Sequence, residues 1–235
     1  IASCLVGSEM CIRDSIYKGG KSSVVGKDNI IKLSSNENSY GPSPKVLDYI
    51  NKSETLLNSH RYPSIDGIEL REKIAITHNL DVNRIILGCG SDETLLFAAL
   101  AFCQDGDEII HAKHGFEMYS IITKIVGATS KLIEENTNYT IDVKVILKQV
   151  TPSTKIIYLA NPNNPTGTYL SRTEIVNLLN KVPNHILVVL DGAYAEYVIK
   201  DDYDSGFSLT EEFENIIMTR TCLLYTSDAA DEEDS

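Results

Sequence analysis

The segment KIIYLANPNNPTGTYLSRTEIVNLLNKVPNHILVVLDGAYAEY, residues 155–197, decides the fold. Two apolar runs, Lys155 to Leu159 and Ile186 to Leu190, have the length and the β-branched content of buried strands. Between them Ser171 stands three residues before Glu174, a capping box that opens a helix on the apolar positions Ile175, Val176, Leu178 and Leu179. Strand, helix and strand in that order belong to a parallel sheet wrapped by helices.

The same alternation extends outward. Strands are expected at Arg84 to Leu87, Glu108 to His111, Lys131 to Glu134 and Ile216 to Thr219, with helices starting at Ser91, near Phe116 and near Asp142. Upstream, Pro44 to Ile50 and Ile65 to His78 read as helices. The fold class is therefore α/β, a three-layer αβα sandwich with a mostly parallel central sheet. In such sheets ligands lie at the carboxyl ends of the strands, so the residues just past each strand are where chemistry is sought.

Composition narrows the partners. With 235 residues, 43% apolar and 23% charged, the chain can bury a sizeable core. A formal charge of −12 argues against nucleic acid or an anionic membrane as a partner. No apolar run reaches bilayer length and the first residues lack a basic leader, which makes the cytoplasm the expected location. Residues 1–15, IASCLVGSEMCIRDS, and 222–235, CLLYTSDAADEEDS, lack the periodicity of the chain between them and resemble translated adapter DNA. Both are expected to be non-native flanks; a frayed arm and an acidic tail are the alternative. The flanks carry net charges of −1 (Glu9, Arg13, Asp14) and −5 (Asp228, Asp231, Glu232, Glu233, Asp234), so without them the charge is −6. Cys89 and Cys103 read as reduced core thiols, His111 and His114 as a solvated surface pair, and no metal site is expected.

Three strand-to-loop junctions carry the chemistry. In LGCGSDETLLF, residues 87–97, Gly88 and Gly90 permit a tight turn and Ser91 can cap the next helix, whose free N–H groups at Ser91, Asp92 and Glu93 can cradle a phosphate. An ordinary strand-to-helix turn explains the same residues. As a dinucleotide fingerprint the segment fails, because Glu93 stands where the third glycine belongs. In YLANPNNPTGTYL, residues 158–170, Pro162, Pro165 and Gly167 make a rigid loop that presents the Asn164 amide above the sheet. In LVVLDGAYAEY, residues 187–197, the strand delivers Asp191 at its carboxyl end with Tyr194 three residues later. A carboxylate there can keep a heteroaromatic nitrogen protonated, and the phenol can donate to an oxygen on the same ring; Asp191 as the cap of a following turn is the plainer reading.

Taken together, GSDE, NPNNPTG and DGAY in this order resemble the large domain of the fold-type I aminotransferases that use pyridoxal 5'-phosphate. The arm IIKLSSNENSYGPSPKVL, residues 30–47, and RYPSIDG, residues 61–67, resemble the histidinol-phosphate aminotransferase subfamily. The likeness covers residues 16–221. It implies an N-terminal arm over 16–46, a partial cofactor-binding domain over 47–221, and a small C-terminal domain that this sequence does not contain. It further implies Asp191 as partner of the pyridine nitrogen, Asn164 and Tyr194 as partners of the 3-oxygen, and Ser91, Asp92 and Glu93 at the phosphate. Phe116 falls where the family stacks an aromatic ring on the cofactor; a helix-start core residue is its other reading. Tyr62 would reach the phosphate of a neighbouring subunit, implying a homodimer, and Asn36 would lie near the substrate. Ser39 and Gly192 depart from the family's frequent proline and glutamate.

In the family, the strand resembling NIIMTRT, residues 215–221, leads into a segment of the type FSKxYG whose lysine bonds the cofactor. Here Cys222 follows Thr221, and Lys131, placed at a strand start, does not replace it. The chain as written is therefore expected to be inactive and poorly stable by itself. The complete protein is expected to move an amino group from histidinol phosphate to 2-oxoglutarate in histidine biosynthesis. An aromatic amino acid aminotransferase or a phospho-amino-acid decarboxylase of the same fold, and a non-catalytic cofactor-binding or dimerising module, stay open as alternatives.

Overall fold

The computed structural model describes residues 35–38, 40–52 and 60–222. The chain divides into two units, residues 1–39 and 40–235. In the first, residues 35–38 are described and form neither helix nor strand. The expected flanks lie outside the described residues apart from Cys222.

Among its described residues the second unit has five strands: β1 (Glu108–Ala112), β2 (Thr129–Ile133), β3 (Thr154–Ala160), β4 (Leu187–Asp191) and β5 (Ile216–Thr219). Their order across the sheet is β2-β1-β3-β4-β5, and every pairing is parallel. The described helices are α1 (Pro44–Lys52), α2 (Ile68–His78), α3 (Ser91–Phe102), α4 (Met118–Ile125), α5 (Val143–Gln149), α6 (Arg172–Leu179) and α7 (Phe207–Glu212), with short 3-10 turns at Val82–Arg84 and Ala195–Tyr197.

Two cores lie on opposite faces of the sheet, and the strand period of two assigns residues to them. Ile110, Ile157, Leu159, Val188 and Leu190 pack under α5, α6 and α7. The alternate residues Ile109, Ile156, Tyr158, Leu187 and Val189 pack under α3 and α4 with Leu95, Ala99, Tyr119 and Ile122. A sheet buried on both faces reads as continuous apolar strands, as LVVL in β4 does. The three layers follow.

Local signals hold in several places. Ser171 and Glu174 form the reciprocal capping box at the start of α6, and the Asp142 side chain accepts the Lys144 N–H at the start of α5. The expected strand over 84–87 is a correction: Ile85 is extended, but Ile85, Ile86 and Leu87 join no ladder among the described residues. β-branched content favours extended backbone, yet a strand exists only where a neighbour takes its hydrogen bonds. Lys131 sits inside β2 rather than at its start and pairs with Glu108 at 3.1 Å.

Two further expectations are overturned by burial. His111 is 2% exposed, because β1 lies between β2 and β3 and is covered on both faces; its ring bonds the Ala112 carbonyl and Ser130 Oγ. Cys89 is exposed in the loop before α3, whereas Cys103 packs against the core. No helix among the described residues is long and apolar enough to cross a membrane.

Candidate active site

The sheet order places a topological switch point between β1 and β3, where the crossovers leave in opposite directions, and the loops past these two strands meet there. One amide ties them together: Asn163 Nδ2 donates to the His114 carbonyl at 3.0 Å. The NPNNPTG loop is closed on itself as well. Asn161 exchanges side-chain hydrogen bonds with the Leu170 backbone, the Asn163 N–H donates to the Thr168 carbonyl at 2.7 Å, and the Gly167 N–H returns to the Asn163 carbonyl at 2.8 Å. Gly167 has φ +70°, a left-handed turn that glycine accepts without strain. The Asn161–Pro162 and Asn164–Pro165 peptide bonds are cis. From outside, Tyr203 Oη donates to the Asn161 carbonyl at 2.7 Å.

Sequence reasoning singled out Asn164 and passed over Asn161 and Asn163, whose side chains build the loop. Asn164 is half-buried, and its Nδ2 donates to Tyr194 Oη at 3.3 Å. The loop after β3 and the turn after β4 thus bring these two together. The turn is braced from β5: the Gly192 N–H donates to the Thr219 carbonyl at 2.9 Å, and Arg220 pairs with Glu196.

Asp191 ends β4, 4% exposed, in register with Ala160 of β3 and Thr219 of β5. Its Oδ1 accepts the Ala193 N–H at 3.2 Å and its Oδ2 accepts the Tyr119 hydroxyl at 2.9 Å. Burial pushes the carboxyl above its ordinary pKa, the donors from Tyr119 and Ala193 pull it back, and the charge of Asp92 adds to the rise. Thr219 Oγ1 is buried nearby, short of hydrogen-bond geometry with any partner among the described residues. An ionised carboxylate has about four acceptor positions; the two donors above leave room for another.

Tyr119 was not among the residues the sequence singled out. It is 1% exposed, stacked on Tyr158 at 4.8 Å with planes 3° apart, and edge-on to Phe116 at 5.8 Å. Tyr158 Oη in turn donates to the Leu95 carbonyl of α3 at 2.8 Å. Phe116 is half-buried against this cluster, ahead of α4 rather than within it. A signal existed, since Phe116 and Tyr119 are three apart at a helix start and share a face there.

At the start of α3 the N-cap is Gly90, not Ser91. Gly90 has φ 79° and ψ 178°, a conformation open to glycine almost alone, and a Cβ there would meet nothing within 4 Å among the described residues. Ser91 is the first helical residue and is buried; Thr94 Oγ1 donates to its carbonyl. The first-turn N–H groups have no partner within a helix, so they remain available to an anion. The Glu93 carboxylate instead braces the loop by accepting the Cys89 N–H at 2.6 Å. Asp92 has an exposed surface, yet the chain packed around it raises its pKa through burial. Its charge also raises both Asp191 and Tyr119, which places the start of α3 within electrostatic reach of the end of β4.

The unit thus gathers Asp191, Tyr194, Asn164, Phe116 and the start of α3 around the carboxyl ends of β1, β3 and β4. Tyr62 is not gathered in; its ring is 100% exposed in the turn before α2. Asn36 belongs to the separate unit of residues 1–39. No cluster of His, Cys, Asp and Glu suited to a metal ion occurs among the described residues.

A parallel αβα sandwich with a buried carboxylate beside a glycine-rich helix start describes a class that comparison with known proteins makes specific. The model of the family "Aminotransferase class I and II" matches residues 28–222, and the chain belongs to that family. Histidinol-phosphate aminotransferases from Ruegeria pomeroyi and Dinoroseobacter shibae are each 48% identical to it over 207 residues, 88% of this chain and 56% of theirs. The chain therefore spans little more than half the length of these curated relatives. Among solved structures, the histidinol-phosphate aminotransferase of Sinorhizobium meliloti, in complex with pyridoxal-5'-phosphate, aligns with a TM-score of 0.75 at 23% identity, over 83% of this chain and 53% of that one. A Thermus thermophilus aspartate aminotransferase variant aligns with a TM-score of 0.73 at 19% identity, over 83% and 56%. At these identities the two structures establish the shared fold.

Proposed function

We propose that the protein to which this chain belongs is a pyridoxal-phosphate aminotransferase that moves an amino group from histidinol phosphate to 2-oxoglutarate, in histidine biosynthesis. The observation that carries the reading is Asp191: a carboxylate 4% exposed at the carboxyl end of a central strand, with two donors and spare acceptor capacity. The residues present fit the cofactor. A buried acceptor suits a protonated ring nitrogen, the Asn164–Tyr194 pair suits a ring oxygen, and the open space at Gly90 lets a phosphate approach the backbone. The choice of histidinol phosphate rests on the curated relatives at 48% identity.

When bound, the cofactor supplies an electron sink for the substrate's amino-bearing carbon. In this reading Asp191 holds a proton on the ring nitrogen. Asn164 Nδ2 and Tyr194 Oη hold the 3-oxygen, and the N–H groups of Ser91, Asp92 and Glu93 hold the phosphate. Phe116 covers one face of the ring. Tyr62 completes the phosphate site of a neighbouring subunit, which makes the working form a homodimer.

The test uses the full-length protein. With pyridoxal phosphate it should transaminate histidinol phosphate and 2-oxoglutarate, and Asp191→Asn should lower kcat by on the order of a hundredfold to a thousandfold, the scale of losing one electrostatic contact to the reacting group. A substrate panel with aromatic amino acids and an assay for CO2 release separates the neighbouring activities. Full cofactor retention and full rate in the Asp191→Asn protein would overturn the assignment.

A further inference from the structure

The buried line Tyr158–Tyr119–Asp191 runs from α3 to the end of β4 behind the cofactor residues just named. Tyr119 brings its hydroxyl to 2.9 Å from Asp191 Oδ2, and its ring is clamped between the parallel face of Tyr158 and the edge of Phe116. At 1% exposure it has no solvent to turn toward. Its partner Tyr158 is itself fixed by the Leu95 carbonyl. A donor held this firmly by packing fixes the orientation of the acceptor it meets.

We propose that Tyr119 is a positioning residue: its hydroxyl holds the Asp191 carboxylate in one orientation and keeps the proton shared with the cofactor on the ring nitrogen rather than on the carboxylate. The inference rests on the reading of Asp191 given above. A hydrogen bond donated to a carboxylate favours its charged form and lowers its proton affinity. The groups facing Asp191 divide in sign. Tyr119 of α4, the Ala193 N–H and the Thr219 hydroxyl of β5 favour the anion, whereas burial and the charge of Asp92 at the start of α3 oppose it. Burial raises the Tyr119 pKa most, the charge of Asp191 and the bond to it add to the rise, and Tyr158 of β3 and Asp92 contribute last, so the phenol stays a donor through the working pH range. His111 of β1 lies beyond, its ring centroid 6.1 Å from that of Tyr119. Tyr119 is thus the one side-chain donor with hydrogen-bond geometry to Asp191 among the described residues.

The test loads the full-length protein with pyridoxal phosphate isotope-labelled at its ring nitrogen and reads that nitrogen by NMR. Tyr119→Phe keeps the aromatic stack and removes the hydroxyl. Its ring-nitrogen resonance should move toward the neutral pyridine position, with kcat down roughly tenfold, the scale of one unit of proton affinity, and KM nearly unchanged. Replacing Tyr119 by 3-fluorotyrosine, a stronger donor of nearly the same shape, should move the resonance the opposite way. This second variant decides the matter if Tyr119→Phe fails to fold. Asp191→Asn, measured alongside, should give the neutral resonance. If Asp191→Asn shifts the resonance and both Tyr119 variants leave it in place, the role of Tyr119 is wrong and the aminotransferase reading stands. If Asp191→Asn leaves it in place, the assignment of Asp191 falls and that of Tyr119 falls with it.

Discussion

The stretch from β3 through β4 to residue 206 and the stretch from residue 60 to Gly90 each supply part of one candidate site, and they are built differently. In the first, asparagine side chains, backbone turns and the Tyr203 side chain close the loop after β3 on the same stretch, and Arg220, just past β5, pairs with Glu196. The second leaves Ile86 at 77% and Ile65 at 105% exposure, with an Ile85–Leu87 run that no described strand pairs. A contiguous crossover carries its own partners, because helix return and strand pairing are set within some forty residues of sequence. A segment whose apolar residues face outward does not. On the proposed reading, the side of the site that would hold the ring nitrogen is formed from packed side chains, and the side that would hold the phosphate from the backbone of an open loop.

Placing the same substitution in each region separates them. Gly206, at the start of α7, has φ +101°, and a Cβ there would lie 2.7 Å from Leu190 Cδ2 and 3.1 Å from Met218 Cγ. Gly206→Ala combines left-handed strain with overpacking beside β4, so a stability loss of about 2–4 kcal/mol is expected in chemical denaturation of the full-length protein. A loss under about 1 kcal/mol would mean that the core beneath Asp191 yields more easily than its burial suggests.

Gly90→Ala meets open space instead, so its cost lies in the backbone conformation alone. The exposed loop can relax, and relaxation turns the N–H groups of α3 away from a phosphate. The expected result is roughly tenfold weaker cofactor binding by fluorescence titration, the size of losing part of one charge-assisted hydrogen bond. Stability without cofactor should fall by less than in Gly206→Ala. Equal losses in both variants would erase the distinction between the two sides.

The parts of the molecule that were legible in the sequence follow the same division. β5 and the capping box of α6 stand where apolar runs and Ser171 with Glu174 place them, since strand burial and helix capping are decided by neighbours in sequence. The run at 84–87 carries the same β-branched signal without a ladder, because pairing depends on another strand. Ser91 has the side chain of a cap, but the backbone angles at Gly90 put the cap one residue earlier. Tyr119 was invisible for a different reason. Its meeting with Asp191 joins residues 72 apart and requires knowing which face of α4 lies over the end of β4. Likewise, His111 read as a surface residue until the sheet order placed β1 between two neighbours.

The anchor between the β1 loop and the crossover gives the smallest effect and the most specific pH dependence. Glu135, just past β2, has a side chain 2% exposed; it accepts the His114 N–H at 2.8 Å and pairs with His114 Nδ1 at 2.9 Å. The His114 carbonyl in turn accepts from Asn163, so Glu135 helps to hold the loop that leads to Phe116. Burial by itself would raise this carboxyl, but the His114 ring and N–H outweigh it and hold it below the ordinary glutamate range. A carboxyl with a lower pKa folded than unfolded contributes stability above its unfolded value, about 4.3, and loses it as pH falls through the folded value. Glu135→Gln should therefore lower stability at neutral pH and flatten its decline in acid, as read from denaturation midpoints across that range. Glu134→Gln is the control, since its pair with Lys113 is exposed on both sides and solvent screens it. An identical acid decline in the two variants would show that His114 and Glu135 do not fasten the β1 loop to the crossover.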